Sequence, residues 1–369
     1  HFFINYTNPL HLIDFAGYQV FETATVDTNI LMAQKATYQN NTLTCVIDKK
    51  MKSLNNMSDY FRQTAVITKN FSYESSWVVL SSEAATIKSK IEQQGLPLKD
   101  WSISIYRGVL TGLNDAFIIN SDTKNELIRK SPNSAEIIRP LLRGRDIKSY
   151  FPEYSDLWII FSRRGINIDH YPAIKAHLKK YYEDLKPRNN GESKGRKPGS
   201  YEWYEIQDNV AYWKDFENPK IIYPNMTKYL PFVYDKGSYF INDKAFIITG
   251  EHLDYLTAFL NSKLFKFCFR DNFPELLGGT RELRKIFFDF IPVKRVDDST
   301  NNLFKKYIDE IFDKKSKGES SKEVEDRIDL EIFKLYQLNA VEVATIEMAE
   351  RGFQSILNED TRLNSSSDN

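Results

Sequence analysis

Residues 106–120 read YRGVLTGLNDAFIIN. Two apolar, strand-like patches flank the turn TGLND, and Arg107 stands just before it. Apolar segments bounded by Gly, Asn and Asp mark a strand–turn–strand passage. Gly112 permits a tight bend with φ > 0 and a close approach of the backbone to another group. Thr111, Asn114 and Asp115 have two uses there. They can satisfy the turn's own backbone, or they can face a ligand together with Arg107.

The rest of the chain sets bounds on that ligand. With 369 residues the chain exceeds one ordinary domain, so two or three units are expected. Hydrophobic residues at 41% supply sizeable cores, and no apolar run reaches the length of a membrane helix. Neither Cys45 in TLTCVI nor Cys268 in LFKFCFR shows ligand spacing. Both read as small buried hydrophobes in a reducing compartment, hence a cytoplasmic protein. The five histidines show no metal spacing, so no metal is expected. Net charge is zero but uneven. From Asp297 onward there are 10 Lys+Arg against 17 Asp+Glu, and the preceding residues carry 40 against 33. A basic body with an acidic helical tail follows. The chain begins HFFINYT, with neither Met nor a basic-then-apolar leader, and reads as a piece of a longer protein.

Along the chain, residues 11–48 predict antiparallel strands joined by short loops. EAATIKSKIEQQ predicts a helix over 83–94 capped by Gly95, and GLPLKDW a linker. Short strands dominate from 100 to 170, with a helix expected over 133–142. HYPAIKAHLKKYYEDLKPR is an amphipathic helix with Ile174, Leu178, Tyr181 and Leu185 on one face. The Pro-, Gly- and cation-rich stretch 187–200 reads as a mobile loop, and Lys175–Lys197 holds eight cations against three acids. Trp203, Tyr204 and Trp213 read as core. PKIIYP and PFVYDKGSYFINDKAFIIT predict strands, with DKG as a hairpin turn. LDYLTAFLNSKLFKFCFR is a helix and FFDFIPV a closing strand. Capping-box patterns at Ser320/Glu323 and Asn339/Glu342 predict helices over about 321–336 and 340–351.

Several chemistries are missing. No glycine-rich strand-to-helix turn, Ser elbow, Cys–His pair motif or HExxH occurs. Pro152, Glu153, Asp184 and Lys186 imitate a nuclease set, but the last two fall on the solvent side of an amphipathic helix. TNPL at 7–10 lacks the second proline and the aromatic of an Asn-Pro-Pro-aromatic catalytic motif.

YRGVLTGLNDAFII followed by LLRGRDIKSY at 141–150 resembles the specificity region of TaqI-like adenine-N6 DNA methyltransferases, which include fused type IIG restriction–modification enzymes. YPAIKAHLKKYYEDLKPR, WYEI at 203–206, PKIIYPNMT at 219–227, LTAFLNSKLF at 256–265 and RIDLEIFKLYQLNAVEVATIE continue the resemblance in order. The resemblance implies an α+β fold. The end of a Rossmann-like methyltransferase domain (1–95) would precede a mixed α/β target-recognition domain (96–296) and a C-terminal helical segment (297–369). It also implies that Phe21, in VFETATVDTNILMAQK, stacks on a flipped adenine. The S-adenosylmethionine and catalytic motifs would lie upstream. The chain alone is therefore expected to be inactive and to bind no cofactor, with Mg needed only by a fused nuclease.

The expected partner is double-stranded DNA, beside the missing catalytic region. Cations hold phosphates, Arg reads guanine and Asn or Gln reads adenine. Candidates are Arg107, Thr111, Gly112 and Asn114 in the opening turn, and Arg143 and Arg145 in LLRGRDI. Arg163, Arg164 and Asn167 follow in FSRRGINI, then Lys194, Arg196 and Lys197 in the loop, Lys220 and Asn225 around IIYP, and Arg281. The alternative is a non-enzymatic DNA- or protein-binding module of a phage-defence complex.

Overall fold

The structure is a computed structural model that describes residues 2–15, 20–21, 28–47, 56–69, 71, 77, 79, 82–189, 193–276 and 279–366. Helices and several small sheets mix along the chain, an α+β arrangement. Its organising element is an antiparallel sheet of four strands in the order Val233–Asp235, Lys220–Pro224, Ala245–Gly250, Ile103–Arg107.

Successive residues of a strand face opposite sides, and this sheet is covered on both. Ile221, Tyr223 and Ile248 enter one core with the helices Leu253–Asn261 and Lys263–Phe269. Ile222, Val233 and Ile247 enter a second core with Leu141, Leu142, Ile160, Ile174 and Phe240. Two-sided burial is why KIIYP reads as an unbroken apolar run rather than an alternating one. The first core also takes Ile87 and Ile91 from the helix Ser82–Gln94, and Phe304, Ile328, Tyr336 and Ile346 from the C-terminal helices. Residues from Ile87 to Ile346 thus contribute to one core, while Ile13, Phe15, Cys45 and Ile47 form a small cluster of their own.

The second core lies under another four-stranded sheet: Phe240–Ile241, Ile138–Leu142, Leu157–Ile160, Ile118–Asn120. The helix expected over 133–142 is a short 3-10 helix, Pro132–Ile137, that gives way to the strand Ile138–Leu142. Pro140 sits inside that strand at a tolerable place, because the parallel partner Phe240–Ile241 begins only at Leu141. The turn at DKG exists, with Gly237 at φ +108, but its flanking strands join different sheets and do not form a hairpin.

GLPLKDW is no linker. Leu96–Pro97 pairs with Pro292–Val293, and Leu98 and Trp101 are buried. The long amphipathic helix at 172 breaks into Pro172–Lys179 and Tyr182–Leu185, with Ile174, Leu178 and Leu185 still buried. The helix at 253 is likewise interrupted, by Ser262, whose hydroxyl accepts the N–H of Phe265 (3.1 Å). FFDFIPV begins in the last two residues of a helical turn, Lys285–Phe288, and ends in its short strand, Pro292–Val293.

At the N-terminal end Asn8–Asp14 pairs antiparallel with Asn29–Gln34 but parallel with Thr42–Val46, so this sheet is mixed rather than wholly antiparallel. At the other end the Asn339/Glu342 capping box is present, with bonds of 2.8 and 3.0 Å in the two directions. The Ser320/Glu323 box does not form; Ser321 takes the cap position and bonds Glu325. The last helix runs through Gly352, over Ala340–Ser366. No helix among the described residues is long and apolar enough to cross a membrane. Cys45 and Cys268 are free and buried.

Lys220 lies at the head of the central strand with no exposed surface. Its ammonium donates to the carbonyl of Phe216 (2.6 Å) and to the Asp235 carboxylate on the neighbouring strand. Burial pulls its pKa below the usual lysine range, and Asp235 opposes that shift. Removing one member of a buried pair strands the other charge. Lys220→Ala is expected to cost about 3 kcal/mol or more of folding stability, measured by urea unfolding. A loss under about 1 kcal/mol would show that the pair does not hold the sheet.

Candidate functional site

Three turns at one end of these sheets enclose a groove of about 880 Å³. The first leaves the strand Ile138–Leu142, where Leu141 and Leu142 are fully buried. Arg143 donates twice to the Asp146 carboxylate (3.0 and 2.9 Å), and its own N–H reaches the same group at 2.9 Å. Ser155 adds a bond of 2.8 Å to Asp146. Burial works to raise the Asp146 pKa, but the bonds from Arg143 and Ser155 outweigh it and hold the carboxyl below the usual aspartate range. Arg143 is thereby spent on shape. Its neighbour Arg145 is exposed in the groove wall and has no partner among the described residues.

The second turn leaves the central strand at Asn225. Met226–Thr227 pairs with Thr280–Glu282, and the Thr227 hydroxyl accepts the N–H of Tyr229 (3.0 Å). Leu230 then adopts φ +48 while buried, and Met226 and Tyr229 are left half-exposed in the groove. The third turn, Asn242 to Lys244, joins Phe240–Ile241 to Ala245–Gly250. Asp243 there carries two cations, Arg107 and Lys244, each at 3.2 Å.

The turns touch at Gly144. An ideal Cβ at that position would lie 2.9 Å from the Lys244 carbonyl oxygen and 3.6 Å from Pro224 Cβ, so only a hydrogen fits without displacement. The groove is lined by Arg143, Arg145, Lys148, Lys228 and Lys244 and by no acidic side chain. Three of these cations have acidic partners beyond the lining: Arg143 with Asp146 at 2.9 Å, Lys244 with Asp243 at 3.2 Å, and Lys148 with Glu153 at 3.5 Å. A concave wall with one sign of charge concentrates anions.

Of the residues expected from sequence, Arg143, Arg145 and Asn225 line this groove. Arg107 stands at its edge, half-exposed and tied to Asp243. The opening turn has a structural answer. Gly112 does take φ +81, but its backbone packs on Arg196 and Gln207. Thr111 is buried and donates to Asn114 Oδ1 (2.8 Å), while Asn114 and Asp115 stay exposed outside the groove lining.

Arg196, expected to hold phosphate from a mobile loop, is buried. It donates to five carbonyls: Leu185, Thr111, Glu205, Glu202 and Trp203, at 2.7 to 3.3 Å. Burial lowers its pKa to about 10, so it stays charged at neutral pH. It pins the segment that sequence reads as loose. Lys194 and Lys197 remain exposed there, away from the groove lining. Lys220 is buried, as described. Arg164 donates to Glu205 and to the carbonyls of Ile206 and Gln207. Arg281 is mostly covered and donates to Asp271 and the Phe273 carbonyl. Asn167 caps a turn by accepting the N–H of Asp169 (3.1 Å). Arg163 is exposed and lies over the Trp213 ring (5.0 Å), outside the groove lining. Trp203, Tyr204 and Trp213 are partly rather than fully buried, against the second core. Phe21 is half-exposed.

Sequence reasoning missed Lys148, Lys228, Tyr229 and Lys244. The available signal was weak: each sits in a short polar turn directly after a buried strand, in IKS, TKY and NDK. No group of His, Cys, Asp and Glu able to hold a metal occurs among the described residues.

The groove residues from Arg143 to Lys244 fall within one stretch of chain that compares with a known family. Residues 139–293 match the model described as the TaqI-like C-terminal specificity domain. In fold, the chain resembles the type IIL restriction–modification enzyme MmeI, solved in complex with DNA. The TM-score is 0.50 at 12% identity, over 95% of this chain and 46% of that one. The type IIG restriction endonuclease BpuSI also matches, with a TM-score of 0.41 at 14% identity, over 84% of this chain and 39% of that one. The chain thus spans less than half the length of either enzyme. No curated protein matches it. Within the specificity-domain match the groove is framed by the two sheets and by the turn bonded through Arg143 and Asp146.

Asp146→Asn is expected to lower stability at pH 7 by about 2 kcal/mol, the scale of lost bonds to a charged group. The folded carboxyl titrates below its unfolded value, so its contribution is full above about pH 4 and fades as pH falls further. Urea unfolding of both proteins should therefore show the gap narrowing between pH 7 and pH 3; an unchanged gap would contradict the charged bond. Gly144→Ala should cost about 1–3 kcal/mol by overpacking against Lys244, read in the same assay.

Proposed function

We propose that this chain recognises a short sequence in double-stranded DNA. It would do so for a restriction–modification enzyme that transfers methyl groups from S-adenosylmethionine to adenine N6. The observation that carries the reading is a groove lined by five cations and no acids, inside the stretch that matches a specificity domain. The MmeI fold, known with DNA bound, supports it.

The chemistry divides in two. Phosphate contacts fix the position of a duplex, and base-edge contacts give the sequence. Arg145, Lys148, Lys228 and Lys244 supply cations for the first. Asn225, Thr227 and Tyr229 lie in the same groove with polar groups for the second. Arg143 and Asp146 fix the turn that carries Arg145, and so act as positioning residues. Methyl transfer is not assigned to any residue here, because the chain carries neither a glycine-rich cofactor turn nor an Asn-Pro-Pro-aromatic motif. Those groups would come from the rest of the enzyme. Phe21 would stand where the flipped adenine is received, and the fragment by itself would bind DNA without modifying it.

The test is duplex binding by fluorescence anisotropy at several salt concentrations. Each cation that neutralises a phosphate contributes about −0.9 to the slope of log K against log salt. Arg145→Ala should weaken binding and flatten the slope by about one unit. Lys194→Ala, outside the groove, should leave it unchanged. If no duplex binds at low salt, or if both variants keep the wild-type slope, the groove is not the DNA site.

A further inference from the structure

We propose that Asn225 is the residue of this groove that specifies a base, and that the base is adenine. The inference rests on the DNA reading above and adds which side chain discriminates.

Asn225 follows Pro224 at the end of a strand buried along its whole length. Its backbone is clamped from both sides. The N–H donates to the Lys244 carbonyl (2.8 Å), and the carbonyl accepts the N–H of Leu283 (2.7 Å). The side chain therefore projects from a fixed base, which is what a discriminating contact needs.

The side chain itself is unpaired. Oδ1 is covered and has no hydrogen-bond partner among the described residues, while the residue lines the groove. Asparagines serving structure elsewhere in the fold behave otherwise. Asn242 accepts the N–H of Lys244 (3.3 Å). Asn261 accepts from Phe232 N–H (3.1 Å) and donates to its carbonyl (2.8 Å). A covered amide oxygen left unpaired is unfavourable, and a turn of the side chain into the groove would let a ligand complete it.

A carboxamide offers one donor and one acceptor side by side. In the major groove the adenine edge presents the matching pair, the N7 acceptor and the N6 amino donor. Guanine presents two acceptors and leaves Oδ1 unpaired. Arg145 and Asn225 line the same groove, and Gly144 abuts Pro224 where their two turns meet. That cation holds the backbone while Asn225 meets the base.

The experiment is selection from a randomised duplex pool with the wild-type chain, Asn225→Asp and Asn225→Ala, followed by sequencing of the bound fraction. The wild type should prefer adenine at one position by roughly tenfold or more. Asn225→Asp has the same shape but only acceptors, so that position should change to cytosine, whose N4 amino group is a donor. Asn225→Ala should relax the same position and leave the others as they were. Variants that bind duplex with the wild-type preference at every position would overturn the assignment and leave the DNA reading standing. A position that changes but was not adenine in the wild type would overturn the choice of base. Failure of the wild type to bind any duplex would instead remove the DNA reading beneath it.

Discussion

A central strand buried on both faces constrains this molecule more than any other feature. Lys220–Pro224 has a core above and a core below, and its first residue is anchored by a buried ion pair to Asp235. A strand so enclosed cannot shift register without exposing both faces. Its last residue, Pro224, therefore delivers Asn225 to a fixed point, and the Gly144 and Lys244 turns close against that point. The groove inherits its shape from this strand. The loops add charge to a wall already in place.

The protein divides its cations between two uses. Arg143, Arg164, Arg196, Lys220 and Arg281 are engaged with carboxylates or carbonyls of the protein itself. Buried or half-buried, they rigidify turns at a desolvation cost that only multiple bonds offset. Arg145, Lys148, Lys228 and Lys244 line the groove wall, where an anion can reach them. A guanidinium with five donors suits the first use, since one Arg196 can gather five carbonyls from separated segments.

Local chemistry was legible wherever the structure is local. The helix Ser82–Gln94 and the capping box at Asn339 and Glu342 depend on residues within one turn of each other. Gly112 takes the positive φ that its turn demanded. Burial of Cys45 and Cys268 follows from their apolar neighbours. The misreadings arose where distant partners decide. Ile138–Leu142 has helical spacing but pairs with Leu157–Ile160, which long-range bonding alone selects. The stretch 187–200 looks loose because Pro and Gly abound, yet Arg196 bonds carbonyls up to 85 positions away.

By itself, then, the sequence determined the α+β character, the order of buried strands and polar turns, and the resemblance of those turns to a specificity region. Patterns of period two and of helical spacing, and residues that act on their neighbours, are written in the order of the chain. Which arginine meets solvent was decided by the tertiary structure. Arg143 and Arg145 are two residues apart, chemically identical, and both line the groove; only the position of Asp146 ties the first to the protein and leaves the second without a partner among the described residues. The same holds for Lys220 and Lys244, one sealed against Asp235 and the other on the wall. A long, charged side chain is stable in either setting, so the balance between desolvation and available partners chooses, and those partners come from elsewhere in the chain.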